Sequence, residues 1–442
     1  MDGVPPSSQE PPARSDRRST RARRVFAVLV NFFVGQGAVQ LLGVLGGLLL
    51  VRRLSVDAYA QFGLATGFQT VVGVLMDFGF ASTIIPLVGD RRNDRALVGR
   101  YVRSAKHLRD RAFFLIAPVA VIAFVGIMHK HHWSWSVQAL LVASVLLALY
   151  SGGKVSYYSA PLFIYGKLRD YYVPQVVSGT GRLIAYVCLA FTGGLNAWTA
   201  AGLTALNVTV NGSLLDRKSQ PYLEWPTEES PATDTEILRY VLPAAPAVVF
   251  AAFQSQISLF LVSIFGGTVD LAQVAALSRI GQLFAVLMTF NVIVVEPYVA
   301  RVSRERLLRM FLGLLLLAAI ACTPVVVLAF TFPQAFLWLL GGKYANLGGE
   351  MGWLVLASCI NYLAGLLWIM NRARKWLFWS GTTLEIVLLL VTQTAFIAYV
   401  GVRTVREAVL FTFASSFCYL IAHGYVSVYG FIKGPRITQA AA

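Results

Sequence analysis

One charged residue interrupts an apolar run of membrane-spanning length. Arg279 lies within "VDLAQVAALSRIGQLFAVLM", residues 269–288, ten residues after Val269 and hence about 15 Å deep. A guanidinium near the bilayer midplane costs about 2.5–3.5 kcal/mol, so it is tolerated only beside a partner or a wet cavity. Its planar fork of N–H donors suits phosphate oxygens. Two interpretations are open: an anion-binding cavity, or a structural pair with a buried carboxylate.

A second arginine reaches a similar depth. Arg182 lies about twelve residues into another apolar run, so we expect both arginines to face inward, one from each half of the chain. For Arg182 the same two interpretations stay open. The carboxylates available as partners are Asp77 and Glu385, with Glu296 nearer the inner surface.

Uncharged polar residues accompany the arginines. As cavity-lining groups they would bind sugar hydroxyls, and as helix–helix contacts they would only hold helices together. Both interpretations stay open for Gln36, Gln40, Gln69, Gln254, Gln256 and Asn361.

Few titratable groups are available for ion coupling. Asp77, Glu385 and His423 are the candidates for proton or sodium coupling or for charge pairing, and a packed, hydrogen-bonded role is the alternative for His423. The loop "MHKHHWSW", 128–135, has no second ligand cluster, so it indicates an interfacial anchor rather than a metal site. We predict no cofactor, no metal and no catalytic residue.

The composition indicates the elements that must position these groups. The chain is 57% hydrophobic and only 13% charged, with mean hydropathy +0.65, which excludes an ordinary soluble domain. We predict an all-α polytopic membrane protein with about twelve spans of roughly 20 residues or more. They cover 26–51, 58–88, 110–128, 134–153, 171–192, 195–213, 240–265, 269–298, 308–330, 348–370, 377–400 and 407–432.

The basic residues predict the orientation. Most of the 37 Lys and Arg fall in the first 25 residues and in alternate loops, so we place both termini in the cytoplasm. The net charge of +16 then reflects topology and contact with anionic lipids, not nucleic acid binding. The basic segment 90–111 is predicted to be an amphipathic helix on lipid headgroups.

A short internal repeat predicts two similar halves. Residues 56–76, "VDAYAQFGLATGFQTVVGVLM", share their Val-Asp start and Val-Leu-Met end with the run around Arg279, about half the chain further on. Six helices per half imply two bundles related by an axis along the membrane normal, around a central cavity. The predicted organisation is a disordered basic tail 1–25, a bundle 26–215, a cytoplasmic linker 216–236, a bundle 237–433 and a tail 434–442.

Two stretches carry a family resemblance. "GQGAVQLLGVLGGLLLVRRLSVDAYAQFGLATGFQTVVGVLMDFGFASTIIPLVG" and "AQVAALSRIGQLFAVLMTFNVIVVEPYVARVSRE" resemble bacterial polysaccharide-biosynthesis flippases of the multidrug/oligosaccharidyl-lipid/polysaccharide exporter superfamily. Arg279 and the pair Arg52–Arg53 match the family pattern, and Arg182 is proposed from depth alone. The usual Tyr-Gly of the second helix is Tyr59-Ala60 here.

The resemblance implies a multi-pass protein of the bacterial inner membrane. It would move an undecaprenyl-pyrophosphate-linked oligosaccharide across that membrane for O-antigen, capsule or exopolysaccharide synthesis, by alternating access. Substrate-binding candidates are Arg279, Arg182, Arg53, Gln36, Gln69, Gln254, Gln256 and Asn361. Its partners would be the lipid-linked substrate, membrane lipids and other polysaccharide-assembly proteins.

Three rival functions stay open. A lipid II flippase would look similar, although that branch generally adds two helices, and a cation-coupled drug exporter would need more carboxylates than Asp77 and Glu385 supply. A polysaccharide polymerase generally carries a large outside loop with catalytic groups. The longest predicted outside loop, 331–347, contains no Asp, Glu or His, so we do not expect an enzyme.

Overall fold

The chain forms a bundle of long helices. The computed structural model describes residues 14–91, 94–225, 231–242, 245–376 and 378–433, with backbone alone for 14–33 and a few isolated positions. Within those ranges all regular secondary structure is helical. The twelve long helices are α1 Arg14–Arg53, α2 Val56–Asp77, α3 Arg95–Lys130, α4 Trp135–Ile164, α5 Leu168–Thr192, α6 Ala197–Ser219, α7 Ala245–Phe265, α8 Thr268–Phe290, α9 Arg304–Thr331, α10 Gly348–Ala373, α11 Trp379–Tyr399 and α12 Val405–Lys433.

Each predicted span coincides with one of these helices, and the all-α membrane architecture is confirmed. Ten of the described helices are long and apolar enough to cross a membrane, and α2 and α6 are not among those ten. The reason for α2 is its position: its residues from Tyr59 to Met76 are largely buried between other helices, so it can carry Thr and Gln instead of a lipid-facing apolar surface.

Several predicted boundaries are wrong: α3 begins at Arg95 instead of 110, and α4 runs to Ile164 instead of ending at 153. The second span does not run to residue 88, because α2 ends at Asp77, where Phe78 (φ 43°) and Gly79 (φ 85°) take left-handed conformations before the short helix Ile84–Val88. The predicted disordered tail 1–25 is also wrong in part, since α1 begins at Arg14. No Gly or Pro occurs between residues 13 and 34, and arginine favours helix. Residues 1–13 and the tail 434–442 lie outside the described part.

The basic segment 90–111 continues directly into the third predicted span. From Arg95 onward it is the first part of α3, whose start is capped by the Asp94 side chain accepting from the Leu97 amide at 2.9 Å. Its apolar face packs on a linker helix, Pro231–Val241, which buries Ile237 and Val241 in a shared cluster. The segment is therefore held by the chain's own linker.

Polar contacts fix that linker helix to α3. The hydroxyl of Tyr101 donates to Glu236 at 2.8 Å, and His107 Nδ1 lies 2.9 Å from an Asp234 carboxylate oxygen. The predicted linker 216–236 is thus partly helical at both ends, while 226–230 lie outside the described residues.

The twelve helices form two bundles of six around a central cavity. The N lobe comprises α1–α6 and the C lobe α7–α12, and α2 packs across the boundary against α7 and α8. A single large apolar cluster continues from one lobe into the other through Tyr59, Leu271 and Ala275. We call the end of the molecule that contains the connecting segments 54–55, 131–134, 266–267 and 332–347 the closed end. The opposite end, where α1 and α3 begin, is called the basic end.

Candidate functional site

A cavity of about 590 Å³, with polar groups set in a partly apolar lining, lies between the lobes. Helix α2 of the N lobe lines one side, and α7, α8, α10 and α12 of the C lobe line the rest. Its polar lining comprises Thr66, Thr70, Gln254, Ser255, Gln256, Ser258, Ser278, Arg279, Gln282, Ser358, Asn361, Tyr362, Thr412 and Ser416. Hydroxyl and amide groups dominate this lining, and Arg279 is its charged member.

Arg279 belongs to the C lobe, but its side chain packs against residues of the N lobe. Its Nε donates a hydrogen bond to the Tyr59 hydroxyl at 3.0 Å, and its Cζ lies 6.0 Å from the centre of the Phe62 ring. The α1 backbone passes close by, since a Cβ added to Gly47 would lie 3.4 Å from Arg279 Cδ. The guanidinium therefore bridges the lobes at the cavity wall.

No carboxylate pairs with Arg279 in the part of the chain that the structure describes. Its Nη1 donates to Gln282 at 3.3 Å, a neutral partner. Glu296 is paired instead with Arg372, and Asp77 accepts from Ser156 at 3.1 Å. The structural ion pair with a buried acid is thus not formed, and the guanidinium keeps N–H donors for an anion.

Arg182 lies apart from the cavity. It projects from α5 with its Cζ 5.9 Å from the centre of the Tyr186 ring, and it is not among the lining residues described. The two arginines chosen from depth therefore do not form two sides of one described cavity.

The predicted amides divide between two roles. Gln254, Gln256 and Asn361 line the cavity, and Gln254 also exchanges two hydrogen bonds with Gln393, at 2.9 and 2.8 Å. Cavity lining and helix–helix contact therefore coexist at Gln254. Gln36 and Gln69 are half-buried on α1 and α2, outside the lining, and Gln40 donates to Thr289 across the lobes at 3.1 Å.

A second cavity of about 420 Å³ adjoins the first inside the C lobe. It is lined by α7, α10, α11 and α12 and contains the carboxylate of Glu385 beside Thr382 and Tyr419. It shares Gln254, Ser255, Ser258 and Asn361 with the first cavity. Three residues are candidates for ion coupling, and of these Glu385 lines one of the two described cavities. Asp77 and His423 are not lining residues of either cavity.

The arginine pair of the family pattern lies at the closed end, away from both cavities. Arg53 is exposed there. Arg52 donates to the carbonyls of Trp338 and Leu339, the latter at 3.0 Å, and its Cζ lies 4.8 Å from the centre of the Trp338 ring. In the other direction, Lys343 Nζ of the C lobe donates a hydrogen bond to the Leu54 carbonyl at 2.6 Å. These residues join the lobes rather than line the cavity.

The loop after α3 forms a second contact between the lobes. Lys130 donates to Ile264 O, His131 Nε2 lies 3.0 Å from Ser263 O, and His131 Nδ1 lies 3.2 Å from the Thr268 hydroxyl. The carbonyls at the end of a helix lack partners within that helix, so side chains from the N lobe cap α7. The His-rich loop, predicted as an interfacial anchor, thus also closes this end.

The closed-end contact should weaken in acid. Burial lowers the pKa of His131 below its usual value near 6.5, the charges of Lys130 and His132 act in the same direction, and the Ser263 carbonyl opposes them. A depressed pKa means that the neutral ring fits the closed end, so protonation favours its opening. The contact is fully present above pH 6.5 and is lost as pH falls below it.

We expect a cysteine at Ser278 to gain reactivity from the closed-end side at pH 5.5 over pH 8, when its rate at each pH is divided by that of an exposed reference cysteine to remove the change in thiolate fraction. His131→Gln should remove that pH dependence, whereas His132→Asn, at an exposed neighbour, should keep it. An unchanged pH profile in His131→Gln would contradict this role.

Sequence reasoning missed the residues that hold the lobes together around Arg279. Tyr59 is fully buried, and a Cβ on Gly63 would lie 2.5 Å from the Cβ of Ala275, which shows how closely α2 and α8 approach. The available signal was "GLATG", residues 63–67, a pair of small residues four apart of the kind that permits close helix packing. Among the described residues, no group of three or more His, Cys, Asp or Glu side chains could hold a metal ion.

Solved structures with this arrangement are membrane transporters. An inward-facing multidrug resistance MATE family transporter of the MOP superfamily matches with TM-score 0.62 and 14% identity, over 88% of this chain and 95% of that one. The lipid II flippase MurJ, in an inward closed conformation, matches with TM-score 0.68 and 12% identity, over 90% of this chain and 87% of that one.

An outward-facing MATE family transporter matches with TM-score 0.58 and 16% identity, over 91% of this chain and 96% of that one. No family model and no curated protein sequence matches the chain. At such low identity the likeness shows the fold alone. The chain therefore has the fold of transporters and flippases of the MOP superfamily.

Proposed function

We propose that this protein is a flippase for an undecaprenyl-pyrophosphate-linked oligosaccharide repeat unit. It would act in the bacterial inner membrane, in O-antigen, capsule or exopolysaccharide synthesis. The observation that carries the proposal is Arg279, a guanidinium with no described carboxylate partner in the wall of a partly polar cavity between two lobes. The fold, which transporters share, supports the same class of function.

The chemistry of the cavity fits such a head group. The barrier to moving a lipid-linked sugar is the desolvation of its pyrophosphate charge and hydroxyls. Arg279 would hold the pyrophosphate through charge-assisted bonds, and Gln256, Asn361 and the hydroxyls would bind sugar. The lipid tail would stay in the bilayer. No bond is made or broken, so no catalytic group is needed.

The orientation that we propose follows from charge. The basic end carries the start of α1, the basic first half of α3 and Arg217–Lys218, so the positive-inside rule assigns it and both termini to the cytoplasm. The closed end then faces outward. In this state the protein would accept its ligand from the cytoplasmic side.

Two rivals share this fold. Lipid II is also a lipid-linked pyrophosphate, so Arg279 would serve a lipid II flippase equally. The structural similarity to the lipid II flippase MurJ supports this alternative as well. A drug exporter for cationic compounds is disfavoured, because an unpaired arginine in the first cavity would repel its substrate.

Glu385 is the group that we propose for coupling to a proton or sodium ion. Its carboxylate lines the cavity that adjoins the substrate cavity, and Tyr419, Asn361 and Ser415 supply further oxygen atoms there. Transport in proteoliposomes by Glu385→Gln should therefore no longer respond to an imposed ion gradient, while head-group binding persists. Transport that still follows the gradient in this variant would exclude Glu385 as the coupling group.

The function itself is tested in cells depleted of the protein. We expect undecaprenyl-linked repeat units to accumulate on the cytoplasmic face and surface glycan to fall. Depletion with neither change, at full expression of the glycan enzymes, would contradict the proposal. Accumulation of lipid II instead would favour the first rival.

A further inference from the structure

The Tyr59 hydroxyl joins the two lobes at the candidate binding residue. It accepts the hydrogen bond from Arg279 Nε at 3.0 Å and lies 3.3 Å from the carbonyl of Ala275, to which it donates. A phenol has one O–H to give and can accept in return, so both capacities are used. Tyr59 belongs to α2 of the N lobe, whereas both partners belong to α8 of the C lobe.

Tyr59 has little room to move. It is completely buried, and its ring centre lies 6.4 Å from that of Tyr344 and 6.3 Å from that of Phe62. A buried aromatic ring in such packing has one position available to it. A movement of α8 away from α2 would therefore break the bond between Tyr59 and Arg279, which lie on these two helices.

The partner of Arg279 is a neutral phenol, and its neutrality determines how the hydrogen bond affects the guanidinium. A carboxylate at this position would cancel the charge of Arg279, whereas a phenol orients the guanidinium and leaves its charge available. Tyr59 fixes Nε and Gln282 accepts from Nη1 at 3.3 Å. Among the described residues, no other partner accepts from this guanidinium, so its remaining N–H donors can bind phosphate oxygens.

We infer that Tyr59 is a positioning residue that makes the affinity for a pyrophosphate head group depend on the state of the lobes. With the closed end shut, Tyr59 holds the Arg279 guanidinium in its binding geometry. With that end open, Arg279 loses this partner, its side chain regains rotamer freedom, and the head group is released. The inference rests on the proposed function, since it assumes that Arg279 binds the head group.

The test compares two buried tyrosines. Tyr59→Phe removes the hydroxyl that contacts Arg279, and Tyr344→Phe is the matched control, because Tyr344 is equally buried, touches Tyr59, and has a hydroxyl without a described hydrogen-bond partner. The probe is undecaprenyl pyrophosphate, with undecaprenol as the uncharged reference, bound to each variant in lipid nanodiscs. Each variant is first checked for an unchanged melting temperature.

We expect Tyr59→Phe to bind undecaprenyl pyrophosphate about tenfold more weakly, as for loss of one hydrogen bond to a charged group, with undecaprenol binding unchanged. Tyr344→Phe should bind like wild type. In an Arg279→Gln background, Tyr59→Phe should add no further loss, because Tyr59 acts through Arg279. If Tyr59→Phe does not fold, 4-aminophenylalanine at position 59, which is neutral, has nearly the same shape and can still donate to Ala275 O but accepts poorly, should weaken binding in the same direction.

Two failures are distinguishable. Two results would overturn the inference about Tyr59 while leaving the role of Arg279 intact. One is wild-type affinity of Tyr59→Phe for undecaprenyl pyrophosphate. The other is that Tyr59→Phe lowers this affinity as much in the Arg279→Gln background as in wild type. Wild-type affinity in Arg279→Gln would instead overturn the head-group role on which the proposed function depends.

Discussion

Replacing Arg279 by alanine should reduce transfer of a pyrophosphate-linked glycan by about a hundredfold or more. Each hydrogen bond to a charged group contributes about 1.5–3 kcal/mol, and a guanidinium can supply two to one phosphate. The residue has no described carboxylate partner, so its removal leaves no buried acid uncompensated. Arg279→Lys keeps the charge but not the planar guanidinium with its paired N–H donors, so it should retain only part of the transfer activity. The measurement is accumulation of lipid-linked repeat units, with their side of the membrane.

Arg182→Ala is the comparison variant for this experiment. Arg182 is also an arginine within a membrane helix, but it packs on Tyr186 outside the described cavity lining, so its loss should reduce transfer much less. Protein levels must match in all strains. Normal glycan display in Arg279→Ala would contradict the binding role, and an equally severe loss in Arg182→Ala would show that the cavity alone does not define the site.

Gly63→Ala should disfavour the state in which the closed end is shut. A Cβ at this position would lie 2.5 Å from that of Ala275, so α2 and α8 must move apart. Overpacking of this kind costs about 1–3 kcal/mol, enough to shift a two-state equilibrium by about 5- to 150-fold. We expect a cysteine at Ser278, with the four native cysteines replaced, to become more reactive from the closed-end side.

Rescue by a second substitution makes this prediction specific. Ala275→Gly removes the atom that the new methyl group would strike, so the double variant should regain wild-type reactivity. Gly73→Ala is the matched control on the same helix, because its Cβ would meet Leu149 at an ordinary 3.7 Å. Equal reactivity in Gly63→Ala and Gly73→Ala would show that the α2–α8 contact does not control opening.

The sequence predicts the helices of this fold because their apolar length is a local property. The errors occur where local chemistry competes with that signal: the Phe78–Gly79 turn interrupts an apolar run, and arginine-rich residues from Arg14 extend a helix. Its depth in the apolar run and the family pattern both point to Arg279. Neither points to its partner, since Tyr59 lies 220 residues away in sequence and the link exists only once the lobes have packed.

The charge partners show the same limit. Asp77, Glu296 and Glu385 have suitable chemistry and depth to pair with Arg279, but pairing depends on which helices are neighbours. The fold places Asp77 beside Ser156 of α4, Glu296 on Arg372 of α10, and Glu385 in a separate cavity. An arginine at the midplane thus predicts a polar environment, while the fold decides whether an acid or a neutral phenol supplies it.

The most direct test is vectorial transfer by the purified protein. Proteoliposomes containing undecaprenyl pyrophosphate with a fluorescent oligosaccharide would be assayed for movement of that glycan between leaflets, with Arg279→Ala and protein-free vesicles alongside. We predict transfer by wild type, little transfer by Arg279→Ala, and none without protein. Transfer by wild type and Arg279→Ala at equal rates, or no transfer by folded wild type with either a proton or a sodium gradient imposed, would contradict the account.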